Sequence, residues 1–194
     1  MALLQKLWWW FFTQTFLRIR IPHTGFSSYV ASPLFILNGN GIRIARKVRI
    51  FPGCPMETHA AGRIRICENV SIGQHFHITC AERELIIGAN TTILGNVFVT
   101  NIDHEYKKLG IHILRQPHLI SDTRIGENCF IGYGAAIQAG TVLGRQCVVG
   151  ANSVVRGVFP DYCVIVGAPA RIVKRYDPVR KGWYRTDPRG EFVL

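Results

Sequence analysis

The run LISDTR-IGENCF-IGYGAA-IQAGTV-LGRQCV-VGANSV-V, residues 119–155, repeats every six residues. Leu119, Ile125, Ile131, Ile137, Leu143, Val149 and Val155 carry the register. Gly126, Gly132, Gly144 and Gly150 follow four of them directly, and small residues (Thr123, Cys129, Ala135, Thr141, Cys147, Ser153) stand four places after. An apolar residue, a small one, a turn and a second small inward residue describe one short flat face of a β-solenoid, three faces making a coil of about 18 residues. Each strand then hydrogen-bonds to the strand one coil above, about 4.8 Å away, so that residue i lies under i+18. Cys129 and Cys147 fall in one inward row, where a thiol acts as a small hydrophobe. A helical or doubly wound fold would have to explain away seven apolar residues in strict register.

The frame extends upstream through Ile44 and Ile50, then Ile66, Ile72 and Ile78, then Ile87, Ile93 and Val99. It slips around Cys54 to Arg65, by three residues near Glu82-Arg83-Glu84, and most from Glu105 to His118. The expected organisation is an amphipathic helix and linker over 1–35, a solenoid over 36–173 with a loop at 105–118, and an irregular tail over 174–194. Within the first segment, residues 2–17 read as one helix containing Leu7-Trp8-Trp9-Trp10-Phe11-Phe12. That apolar run is too short to span a bilayer, which takes about 20 residues, and no small-residue cleavage site follows it. Its aromatic face either packs on the main domain or lies on a membrane interface.

The chain has 194 residues, 48% of them hydrophobic, which excludes a disordered polymer. Lys and Arg number 23 against 12 Asp and Glu, a net charge of +11 that points to anionic partners. Nucleic acid has only this charge in its favour, since the repeats offer no aromatic stacking platform, and none is expected. Six cysteines without a CxxC pair read as reduced thiols of a cytoplasmic protein, neither a zinc ribbon nor a redox site.

The units Ile125–Phe130, Ile131–Ala136 and Val149–Val154, the proline turn at Phe159-Pro160-Asp161 and the segment Val166-Gly167-Ala168-Pro169-Ala170-Arg171 together resemble the hexapeptide-repeat acyltransferases, in their sugar O-acetyltransferase branch. The resemblance covers about residues 40–175. It implies an all-β fold, a left-handed parallel β-helix that departs from the right-handed crossover rule. It also implies a homotrimer with active sites between subunits and acetyl-CoA as donor, with no metal expected.

His104, in Thr100-Asn101-Ile102-Asp103-His104-Glu105-Tyr106, stands where the large loop leaves the repeat and matches the family's catalytic histidine. Moving an acetyl group from a thioester to a sugar hydroxyl needs a base as the hydroxyl attacks, and an imidazole ordinarily titrates near working pH. Asp103 or Glu105 could orient the ring or hold the sugar. His75 and His77 occupy a stretch where sugar acetyltransferases carry acceptor contacts; His112 and His118 are left unassigned. The resemblance puts acetyl-CoA contacts at Gly132, Tyr133, Gly134, Ala151, Arg156, Arg171 and Lys174, with Arg175 adding charge for the phosphates.

The expected activity is O-acetylation of a sugar in a bacterial surface polysaccharide or its precursor, by direct transfer, in the cytoplasm or peripherally at the inner face of the membrane. N-acetylation of an amino-sugar nucleotide would use the same base and donor. A γ-carbonic-anhydrase-like hydrase would need a histidine five places from His104, where Leu109 stands. A non-catalytic scaffold would bind no acetyl-CoA and tolerate His104→Ala.

Overall fold

The computed structural model describes residues 3–187 and 189–193. Short parallel strands stack into three sheets that form the faces of a left-handed solenoid, with an N-terminal helix and a C-terminal antiparallel extension. Ile125, Ile131, Ile137, Leu143, Val149 and Val155 all point into the core and are buried, as are the small residues between them. Ile131 lies beside Val149 and Ile137 beside Val155, the expected spacing of 18.

That spacing holds only in these later coils. Val30 pairs with Ile50 (50 − 30 = 20), Ile50 with Ile72 (72 − 50 = 22) and Ile72 with Ile93 (93 − 72 = 21). The extra residues are absorbed at corners. The left-handed conformation there falls repeatedly on Asn, as at Asn69, Asn90, Asn96, Asn128 and Asn152, because a short amide side chain tolerates positive φ better than most. At Gly134, φ +71°, a Cβ would lie 2.2 Å from Asn152 Oδ1, so a side chain there would strain the backbone and displace that amide. Ile93 and Ile131 are coil neighbours although 131 − 93 = 38, because the large loop leaves between them.

Leu119 is the exception to the six-residue register. It pairs antiparallel with Asp103 in a hairpin outside the coils and is exposed, and the solenoid resumes only at Arg124–Ile125. The first coil also opens earlier than residue 36, with strands His23–Thr24, Tyr29–Val30 and Ile36–Leu37. At the other end, Ala170–Asp177 and Gly182–Arg185 form antiparallel strands that extend one sheet beyond the solenoid into the irregular C-terminal region.

The helical segment runs through α1 (Leu3–Phe12), a π turn over Thr13–Leu17 and a last turn to Arg20. Leu17 and Ile21 join the main core and close the end of the solenoid, while Trp9 packs on Tyr29 and Ala31. Thr13 Oγ1 accepts from the Val30 N–H at 2.9 Å and donates to the Trp9 carbonyl, and the Gln14 amide donates to the Ser28 carbonyl. The helix is thus fixed to the first coil by its inner face. No helix among the described residues is long and apolar enough to cross a membrane. All six cysteines are unpaired, and burial pushes the Cys54 thiol up to about 11, which suits a packing role.

Candidate active site

Asn101 is fully buried and fixes the point where the chain leaves the fourth coil. Its side chain accepts from the Ala81 N–H at 2.8 Å and donates to the Ala81 carbonyl at 2.9 Å. The strand Ile102–His104 then pairs antiparallel with His118–Ile120, placing His104 opposite His118. The two imidazoles meet edge to face, centroids 4.9 Å apart. Between them the loop is organised by Gln116, whose buried amide donates to the Lys108 and Ile111 carbonyls and accepts from the Lys108 N–H. His104 is half-buried, and its Nδ1 is buried with no hydrogen-bond partner among the described residues. Asn101→Ala should cost about 2–3 kcal/mol, as two hydrogen bonds are lost and two backbone groups of Ala81 are left unsatisfied. A parallel fall in kcat would confirm that this clamp aims the histidine strand.

The two acids beside His104 have separate structural duties. Asp103 accepts from the His104 N–H through Oδ1 at 2.9 Å and pairs through Oδ2 with the Arg156 guanidinium at 3.0 Å. Glu105 accepts from the Lys107 and Tyr106 N–H groups, bonds that hold its carboxyl below the usual range and tie it to the loop turn. Neither carboxylate bonds to the imidazole of His104.

His75 and His77 are not brought together. His75 is an exposed corner residue in the left-handed conformation. His77 Nε2 lies 2.7 Å from Glu57 Oε1, and the other oxygen of Glu57 lies 3.3 Å from His59 Nε2, with the His77 ring against Phe98. His59 and Glu57 went unnoticed in the sequence because their approach to His77 depends on the 22-residue coil.

The residues matched to donor binding divide between two corners. Gly132, Tyr133, Gly134 and Ala151 occupy one, where a Cβ on Gly132 would meet the Ala151 backbone nitrogen at 2.5 Å and the Tyr133 hydroxyl meets the Asn96 amide. Arg156 and Arg171 line another, a groove of about 230 Å³ joined by Arg189 from the tail. Lys174 stands on the antiparallel extension, exposed, between Val164 and Arg185. Three arginines line this groove, with Arg156 paired to Asp103 and Arg171 donating to the Ala170 carbonyl, and such a set could hold the phosphates of a CoA-type donor, since Arg pairs bidentately with phosphate. Arg156 links that groove directly to Asp103 and hence to the His104 strand. Among the described residues no cluster of His, Cys, Asp and Glu could hold a metal ion.

A solenoid whose exit loop carries a histidine beside an arginine-lined groove has the groups to deprotonate an acceptor and to hold a phosphate-bearing donor. Comparison with known proteins agrees. The pattern described as the hexapeptide repeat of succinyl-transferase matches residues 122–156. A protein of Escherichia coli, named as a lipopolysaccharide biosynthesis O-acetyl transferase, is 32% identical over 159 residues, which is 78% of this chain and 80% of the relative. The chain therefore belongs to the hexapeptide-repeat acyltransferases. An N-acyltransferase from Bacillus cereus, solved with dTDP-4-amino-4,6-dideoxyglucose and coenzyme A, superimposes with a TM-score of 0.72 at 20% identity, covering 84% of this chain and 88% of that one. A polysialic acid O-acetyltransferase superimposes at 0.61 with 27% identity, covering 76% and 74%.

Proposed function

We propose that this enzyme transfers an acetyl group from acetyl-CoA directly to a sugar, with His104 as general base. The observation that carries this reading is the half-buried His104 at the loop departure, joined through Asp103 and Arg156 to the arginine groove. The nucleophile on the sugar loses its proton to His104 as it attacks the thioester carbonyl, the tetrahedral intermediate collapses with cleavage of the C–S bond, and His104 returns that proton to the departing sulfur, so that CoA leaves as the thiol. Asp103 holds the backbone of His104 and Arg156 holds Asp103, so both act as positioning residues.

The amine reading, N-acetylation of an amino-sugar nucleotide, has the stronger support, because the N-acyltransferase that superimposes over most of both chains was solved with such a nucleotide. The hydroxyl reading, with a surface polysaccharide or its precursor as acceptor, is supported by the name of the 32% identical relative and by the polysialic acid enzyme. Treating the product with alkaline hydroxylamine separates them: an O-acetyl ester is cleaved and an amide is not. Loss of label from the sugar identifies the hydroxyl, and retention identifies the amine.

We also assign the enzyme to the cytoplasm, on the support of six unpaired thiols, and to a homotrimer. The division of the donor residues between two corners of one chain supports a site assembled from neighbouring subunits. Arg171→Ala and Arg189→Ala should each raise KM for acetyl-CoA about tenfold, the worth of one charge-assisted contact. The same variants should leave KM for an acetylated pantetheine fragment, which lacks the nucleotide phosphates, unchanged.

A further inference from the structure

The outer face of the N-terminal helix is as apolar as its inner face. Trp9, Thr13 and Leu17 point inward and are buried. On the opposite side Leu4, Trp8, Phe11 and Ile19 form a ridge, with Leu4 78% and Ile19 80% exposed. A surface helix ordinarily presents polar residues there. Beside the ridge lies a groove of about 560 Å³ lined by Trp8, Phe12, Phe16, Leu34 and Phe35, with Arg20 at its margin. The charge around it has one sign. No Asp or Glu occurs before Glu57, while residues 1–56 hold Lys6, Arg18, Arg20, Arg43, Arg46, Lys47 and Arg49. Arg46 and Lys47 are paired with Glu68, and Lys6, Arg18 and Arg20 stand exposed on the helical segment itself.

We propose that this end of the solenoid docks on an anionic lipid surface, the ridge entering the acyl boundary and the helix cations meeting headgroup phosphates. Exposed aromatic and aliphatic side chains on a helix with Lys and Arg and no acid are the combination that binds such an interface. The same charge argues against burial on a second copy of this face, which would bring two uncompensated sets of cations together. In the docked orientation the fourth coil, from which His104 departs, stands three strand spacings above the first, about 14 Å. The docking goes beyond the acyl-transfer reading and does not depend on which acceptor the enzyme uses.

The full chain should be sedimented with vesicles of phosphatidylcholine alone and of phosphatidylcholine and phosphatidylglycerol in equal parts. Binding to the mixed vesicles should exceed binding to the neutral ones at least about tenfold and fall steeply in high salt. The variant Leu4→Ser/Trp8→Ser/Phe11→Ser should lose at least about tenfold in vesicle binding. It leaves the inner face of the helix intact, so an unchanged melting curve verifies its fold. Absence of vesicle binding by the wild type, or equal binding by the variant, overturns the proposal. So does a drop in the variant's oligomer size without any lipid binding by the parent, which would make the ridge a subunit contact. Turnover on a soluble sugar, measured on both proteins, should not differ. If neither protein shows any, the acyl-transfer reading fails while the vesicle result still decides the docking.

Discussion

His104→Ala is expected to lower kcat for acetyl transfer by about 10²–10⁴, the range for removal of a positioned general base, with KM for acetyl-CoA changed less than about threefold. The asymmetry follows from the site. On the proposed reading the donor phosphates would meet the arginine-lined groove, to which His104 contributes nothing, whereas the proton of the attacking group would need an acceptor on the exit strand. The strand is held by Asn101 and by its pairing with His118–Ile120, neither of which depends on the imidazole, so the variant should fold. Steady-state thiol release with a circular dichroism melt on the same sample checks both halves. A variant retaining turnover within about threefold of wild type would move the base elsewhere. His118→Ala should reduce kcat by less, about tenfold, since that ring only abuts His104.

Phe76→Ala should be the most destabilising single truncation in the solenoid. Phe76 heads the largest fully buried side chains and sits at a corner of the third coil, and the register of its sheet continues to the buried Cys54 below and Val97 above. Their backbones are fixed at the strand spacing and cannot close in on the space, so the cavity should persist. A loss of about 3–5 kcal/mol is expected, or about 6–20 °C in melting temperature at 2–4 °C per kcal/mol for a chain of this length. Phe130→Ala removes the same ring from an exposed outward position and should cost less than about 1 kcal/mol. Comparable losses for the two would contradict the inward and outward assignment.

The coils that were legible in the sequence are those whose corners have uniform length. Where Ile125 to Val155 step by six, periodicity alone locates every inward residue. Coils of 20 to 22 residues carry the same inward Ile and Val but insert extra corner residues, so their stacking partners cannot be obtained by counting. Leu119 illustrates the opposite failure. It keeps the period by coincidence, and only the pairing of Asp103 with Leu119 reveals that the chain is still outside the coil there. The outward apolar stripe of the helix was open to either a packing or a membrane reading, because the choice depends on which face meets Tyr29.

His104 was legible because it marks the end of a regular repeat. The groups around it were not, since each arrives from a distant part of the chain: His118 across the loop, Arg156 from a coil above, Arg189 from the tail. Arg156 was expected at the donor and is found on Asp103 while also lining the arginine groove, a dual position that spacing could not disclose.

The central claim is acyl transfer from CoA to a sugar, and the most direct measurement supplies isotope-labelled acetyl-CoA with a panel of amino-sugar nucleotides, neutral sugar nucleotides and de-acetylated bacterial polysaccharides. Release of CoA thiol is followed together with label on the sugar. The account predicts equimolar thiol release and sugar labelling with at least one class of acceptor, both lost in His104→Ala. Thiol release that is the same with and without every acceptor, or no binding of acetyl-CoA by calorimetry, would contradict it.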